Sequence, residues 1–302
     1  MLAGASTRVA IGDLPVNTIS SDAIGAAPAE SPAQPAPASR VTRAYRAARS
    51  LIFLLVFSVY LIVVIGGGNR LLIPLLLKLF PRRDLRIRRA WLRLHAIVTT
   101  GLARTFGGMR LDVHGAIPRE SVVVIMNHQS VMDIPVGVLL IPGPYPIIPT
   151  RDRYTRNGIP GMPSLIRLLR FPVVSQKREN LRTELPAIAE AADSTARGDN
   201  SMLVFAEGHR TRDGLIAPFM RTGLRLVLER AQRPVYCIVA DGLWHARTTF
   251  DAATGFAGAT CTVHILGPFT APSTDLDDFI EGLRDRMVAE LDAIRAARAA
   301  TP

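Results

Sequence analysis

The chain has 302 residues, 48% of them hydrophobic, and a formal net charge of +11. This allows a sizeable core, and the cationic balance suggests an anionic partner: membrane lipid, nucleic acid or a phosphorylated substrate. The two cysteines, Cys237 and Cys261, lie in no CxxC or Cys/His cluster. That argues against a disulfide framework or a zinc site and fits a reduced, cytoplasm-facing location.

Residues 1–39 are rich in Ala, Pro, Ser and Gly ("AAPAESPAQPAPAS") and read as a disordered tail. No apolar core follows a basic start, so the signal-peptide layout is missing. Arg40, Arg43, Arg46 and Arg49 then precede "LIFLLVFSVYLIVVIGGG". As a helix, Leu51 to Gly68 would rise about 27 Å, close to the roughly 30 Å hydrocarbon core. Leu51 to Ile65 holds thirteen Leu, Ile, Phe or Val residues. At about −0.3 to −0.6 kcal/mol each, they favour insertion by roughly 4–8 kcal/mol.

Two geometries fit at this point. Leu51 to Gly68 spans the bilayer once, or Gly66 to Gly68 and Pro74 break the path into a re-entrant or interfacial helix pair. Arg82, Arg83, Arg86, Arg88, Arg89 and Arg93 make the C-terminal flank the more basic one. The positive-inside rule therefore places the following domain in the cytoplasm, and anionic headgroups would attract the same patch. No nucleic-acid motif accompanies these charges. Residues 40–100 are expected to form the membrane anchor with its basic juxtamembrane helices, and 101–302 a separate globular domain.

From Met109 the pattern is globular. Strands are expected at Met109–His114, Val122–Met126, Tyr145–Ile148, Pro172–Ser175, Met202–Ala206, Val235–Ala240 and Thr262–Leu266. Helices are expected near Val131–Leu140, Leu181–Ala196, Arg221–Ala231 and Asp275–Ala299. Interspersed strands and helices predict an α/β domain, a mixed sheet flanked by helices. Leu276, Phe279, Ile280, Leu283, Met287, Leu291 and Ile294 form one stripe, so the last helix should cover the core.

Three stretches carry chemistry. In "VVVIMNHQSVMDIP" an apolar strand ends at Asn127, and His128 and Asp133 follow. A neutral imidazole can take the proton of an alcohol attacking an acyl group. A carboxylate on the other ring nitrogen fixes the tautomer and stabilises the imidazolium. Asn127 suits a helix cap better than an acyl pocket. In "LVFAEGHRTRDG" a strand runs into Glu207, Gly208, His209 and Arg210. Gly208 permits close backbone approach, and Arg210 offers a planar fork for phosphate oxygens. In "FPVVSQKREN", Lys177 and Arg178 precede a helix start that suits an anion. Taken singly, the last two also read as solvated charged turns.

Together, Asn127-His128 with Asp133, Arg178, Phe205-x-Glu207-Gly208-x-Arg210, "PFMRTG" and "RPVYCIV" resemble the glycerolipid acyltransferases, which include the lysophosphatidic acid acyltransferases. The resemblance covers roughly Met109 to Ala240. It implies that His128 is the general base and Asp133 its partner. It also implies that Arg178, Glu207, Gly208 and Arg210 bind the acceptor, and that Pro234–Val239 is structural or acyl-facing. Ala206 stands where the family usually has proline and His209 where it has threonine. The second block matches mainly at Arg178.

The implied reaction moves a fatty acyl group from acyl-CoA or acyl carrier protein to a lysolipid hydroxyl. The preferred acceptor is 1-acyl-glycerol-3-phosphate, giving phosphatidic acid. A lyso-ornithine lipid or another lysophospholipid is the alternative acceptor, and a non-catalytic membrane lipid-binding protein the alternative class. No metal and no cofactor are implied beyond the acyl donor as substrate. No Gly-x-Ser-x-Gly elbow supports a hydrolase. The remaining histidines, His95, His114, His245 and His264, read as structural or surface residues.

Overall fold

Val122 to Met126 is apolar at every position, as expected of a strand covered on both faces. In the computed structural model, which describes residues 39–156, 161–175, 181–245 and 259–300, β2 (Val123–Met126) lies within the main sheet and is fully buried. That sheet has the order β1-β8-β7-β2-β6-β3. Its strands are β1 (Arg110–His114), β3 (Tyr145–Ile147), β6 (Asn200–Val204), β7 (Val235–Asp241), β8 (Thr260–Phe269) and β2. A two-stranded parallel sheet pairs β4 (Thr150–Arg151) with β5 (Val173–Val174). In the main sheet β3, β6, β2 and β7 run parallel, while β8 is antiparallel to β7 and parallel to β1. The sheet is mixed, as the sequence pattern implies.

Alternation along the strands divides the core. Val122, Val124, Met126, Leu203, Ile238 and Ala240 face one layer. It is built from α3 (Asp84–Thr105), α4 (Asp133–Leu140) and α6 (Met162–Leu169). Val123, Ile125, Met202, Val235, Cys237 and Val239 face the other. That layer is α7 (Leu181–Ala196), α8 (Arg221–Ala231) and α9 (Leu276–Ala300). The stripe expected on the last helix is the buried one, with Phe279 at its edge. A short helix α5 (Arg153–Arg156) follows β4.

The apolar N-terminal segment is helical from end to end. It comprises α1 (Arg40–Val59), a π-helical stretch (Tyr60–Leu72) that absorbs Gly66 to Gly68, and α2 (Ile73–Leu79). Pro74 sits in the first turn of α2, where proline is tolerated. The glycines and Pro74 therefore do not reverse the chain. The turn comes at Phe80 to Arg83, before α3. Ala47–Leu79 is long and apolar enough to cross a membrane.

One face of this helix is buried through Phe53, Tyr60, Leu61, Ile65 and Ile73, in the same cluster as Trp91 and Leu92 of α3. Leu51, Leu55, Ile62, Val63, Leu71 and Leu79 are exposed on it. Asn69 accepts a 2.7 Å hydrogen bond from Trp91 Nε1 and donates to the Gly161 carbonyl. Gly68 is required here, because a Cβ would lie 2.5 Å from the Trp91 ring. Arg40–Pro302 forms a single compact unit. The tail expected over residues 1–39 falls almost wholly outside the described residues.

Candidate active site

Parallel strands bring their carboxyl ends to one edge, where side chains from separate loops converge. β2 delivers Asn127 and His128 there, β6 delivers Phe205 to Arg210, and β7 ends at Asp241.

Asn127 does not cap α4, whose N-cap is Met132. Its side chain donates to the Ala240 carbonyl at 2.9 Å and accepts from the Ala240 amide at 2.8 Å. A side-chain amide carries the same donor and acceptor as a peptide, so it continues the β2–β7 ladder by one rung. The next residue thus leaves the strand in a fixed direction.

That residue is His128. Its Nδ1 lies 3.0 Å from Asp133 Oδ2. The same oxygen accepts the Gln129 and Ser130 amides at 2.6 Å each. Asp133, fully buried at the start of α4, thereby folds the intervening loop around itself. A proton on Nδ1, directed to the carboxylate, leaves the Nε2 lone pair available for chemistry. Among the described residues no hydrogen-bond partner meets Nε2. The Phe205 ring stacks on the imidazole at 4.2 Å between centroids. Burial holds the imidazole below the ordinary histidine range. The Asp133 hydrogen bond and charge oppose that shift, and the charges of Arg210 and His209 reinforce it. A histidine kept neutral but paired with a carboxylate is suited to accept a proton.

Glu207 is placed otherwise than expected. Its Oε1 accepts the His128 amide and its Oε2 the Ala217 amide, both at 2.8 Å. With the 2.8 Å bond from the Thr211 amide to the His128 carbonyl, this clasps the two loops together. Glu207 therefore supports the His128 loop through its backbone. Burial pushes its carboxyl up to about 7, although the two amide donors pull it down. Gly208 has φ +68 in a turn whose amide bonds to the Phe205 carbonyl at 3.0 Å. A side chain there would be strained.

Arg210 lines a cavity of about 880 Å³ together with Arg151, Arg153, His209 and Arg212. Its Nη2 donates to Tyr154 Oη at 2.7 Å. Lys177 and Arg178 lie outside the described residues, so their expected role has no geometry here.

Two groups were not anticipated from the sequence. Arg151, Arg153 and Tyr154 enter the site from β4 and α5, and their only signal is a basic and aromatic run after a short strand. Gln129 Nε2 donates to buried Asp241 at 3.2 Å. Asp241 in turn pairs with Arg295 at 3.1 Å and Arg298 at 2.6 Å. This couples α9 to the His128 loop through contacts over 50 residues apart, which local pattern cannot reveal.

Residues 110–241 match the family model described as Acyltransferase. The human 1-acyl-sn-glycerol-3-phosphate acyltransferase alpha is 27% identical over 183 residues, 60% of this chain and 62% of that protein. The Bos taurus protein of the same name is likewise 27% identical, over 60% of this chain and 61% of its own. The chain thus spans about 62% of the human relative's length. The crystal structure of the 1-acyl-sn-glycerophosphate (LPA) acyltransferase PlsC from Thermotoga maritima has a TM-score of 0.58 and 21% identity. It covers 83% of this chain and 99% of its own. At that identity the likeness speaks for the fold. The matched stretch begins with β1 and ends with β7, and so contains the Asn127-His128/Asp133 loop and its clasp; over those residues the chain is similar to the Acyltransferase family.

Proposed function

We propose that this protein transfers a fatty acyl group from a thioester, acyl-CoA or acyl carrier protein, to the free hydroxyl of 1-acyl-glycerol-3-phosphate. The observation that carries the reading is the His128–Asp133 pair at 3.0 Å, with the arginine-lined cavity on the adjoining loop. Nε2 of His128 takes the hydroxyl proton as the oxygen attacks the thioester carbonyl. Asp133 stabilises the imidazolium that forms. Collapse of the tetrahedral intermediate breaks the C–S bond, and the imidazolium returns the proton to the leaving sulfur. An ester and a free thiol result.

The cavity favours a phosphomonoester over the zwitterionic head group of a lyso-ornithine lipid. Among the described residues, Arg151, Arg153, Arg210 and Arg212 border it, with Asp213 the one lining carboxylate. That carboxylate is engaged by the Leu215 amide at 3.0 Å and the Thr211 hydroxyl at 2.8 Å. A head group carrying about two negative charges meets complementary donors there, whereas an ammonium meets repulsion. The exposed face of Ala47–Leu79 would sit among lipid tails, with the basic turn and α3 at the headgroups and the catalytic domain in the cytoplasm. Purified protein supplied with acyl-CoA should acylate lysophosphatidate in preference to lyso-ornithine lipid and lysophosphatidylcholine. Turnover of the aminolipid without turnover of lysophosphatidate would overturn the acceptor.

A further inference from the structure

Tyr154 stands between two cations. Its hydroxyl oxygen accepts from Arg153 Nη2 and from Arg210 Nη2, each at 2.7 Å. The Arg153 guanidinium also lies over the Tyr154 ring, 4.7 Å from its centroid. Both arginines line the cavity, as does Arg151 beside them. One oxygen accepting from two guanidinium groups has the donor pattern that a phosphate oxygen meets in an arginine site. Arginine has no acceptor atom, so neither neighbour can receive the phenol's own proton. Among the described residues no acceptor is placed for it. The half-buried hydroxyl therefore joins two converged forks and adds a third donor beside them.

Taking the arginine cavity as the acceptor site, we propose that Tyr154 is a specificity-determining residue for the phosphomonoester of the acceptor. Its oxygen holds the Arg153 and Arg210 forks in register, and its O–H donates to a phosphate oxygen bound between them. Acceptors without a doubly charged phosphate gain little from this triad. Arg210 also links the triad to the base, because its charge acts on His128.

Tyr154→Phe isolates the hydroxyl, since a phenyl ring keeps the contact with Arg153. The test uses the full-length protein in detergent micelles. Initial rates are measured against lysophosphatidate at saturating acyl-CoA, and binding of glycerol 3-phosphate is read as a shift in melting temperature. For Tyr154→Phe, the KM for lysophosphatidate should rise about ten-fold, with kcat and the KM for acyl-CoA retained. Glycerol 3-phosphate affinity should fall by a similar factor, while the unliganded melting temperature stays at the wild-type value. An unchanged acceptor KM, or a fall in kcat at unchanged KM, would overturn the proposal. So would a wild-type protein that does not bind glycerol 3-phosphate. A wild-type protein that binds glycerol 3-phosphate through Tyr154 but does not acylate lysophosphatidate refutes the assigned reaction and upholds the phosphate role of Tyr154.

Discussion

Glu207→Gln probes the clasp between the two active-site loops. The carboxylate accepts one backbone amide on each oxygen, from His128 and from Ala217. Glutamine has nearly the same shape but only one acceptor oxygen, so its NH2 must face the second amide. One buried N–H is left unsatisfied, which costs about 1–3 kcal/mol. For a protein of this size that lowers the melting temperature by roughly 2–12 °C.

The effect depends on pH. Burial raises the Glu207 carboxyl from 4.5 to about 7. A raised pKa stabilises the fold fully below pH 4.5, and that stability is lost as pH rises through 7. The wild-type protein therefore loses about 3 kcal/mol between those limits from this group, and the glutamine variant does not. The melting gap should be widest near pH 5 and narrow by pH 8, where the ionised carboxylate accepts both amides and the cost of about 1–3 kcal/mol remains alone. Turnover should drop throughout, because the His128 backbone is no longer held. Thermal unfolding from pH 5 to pH 8 and kcat at each pH test both statements. A gap independent of pH would refute the titration, and wild-type kcat in the variant would refute the clasp.

His128→Ala should abolish acyl transfer while membrane association persists, and Asp133→Asn should lose most activity by presenting the wrong tautomer; near-normal turnover of the alanine variant would remove His128 from the mechanism. Since burial lowers the His128 pKa, the base stays neutral below its ordinary titration range, and the acid limb of kcat/KM should fall below pH 6.5; a midpoint above 7 would contradict this. Full-length protein should sediment with membranes and resist high-salt extraction, because salt screens the arginines but not the apolar helix face; release by salt alone would rule out insertion.

The main sheet was legible because its inner strands are apolar at nearly every position, and α7 and α8 because their patterns are clean. β6 begins two residues before the strand its apolar pattern predicts. Its first residues, Asn200 and Ser201, are buried and polar, satisfied by Thr195, Ser194 and the Val122 amide rather than by apolar contact. β4, α5 and α6 leave no legible pattern, since two to eight residues give too little period to count. Motif order, spacing and the family resemblance single out His128, Asp133, Gly208 and Arg210, and all lie at one edge of the sheet. Spacing could not show that Asn127 extends a ladder or that Glu207 binds backbone. Both depend on partners far along the chain, and the same residue types serve caps and acceptor sites equally well.

The absence of a side chain at Gly68 lets Trp91 press directly onto the apolar helix, with Asn69 tied to the indole and to Gly161. A helix joined to its domain by a linker would let the catalytic centre wander through a range of heights above the lipid. This helix is bolted to the domain along its inner face, so it works as a mount rather than a leash. Once the outer face is seated in lipid, the height and tilt of the His128 edge are set together. A lysolipid would then reach the base by sliding within its own leaflet, without first leaving the membrane. A bulky residue at position 68 would loosen that mount and blur the height of the site while leaving every catalytic group intact.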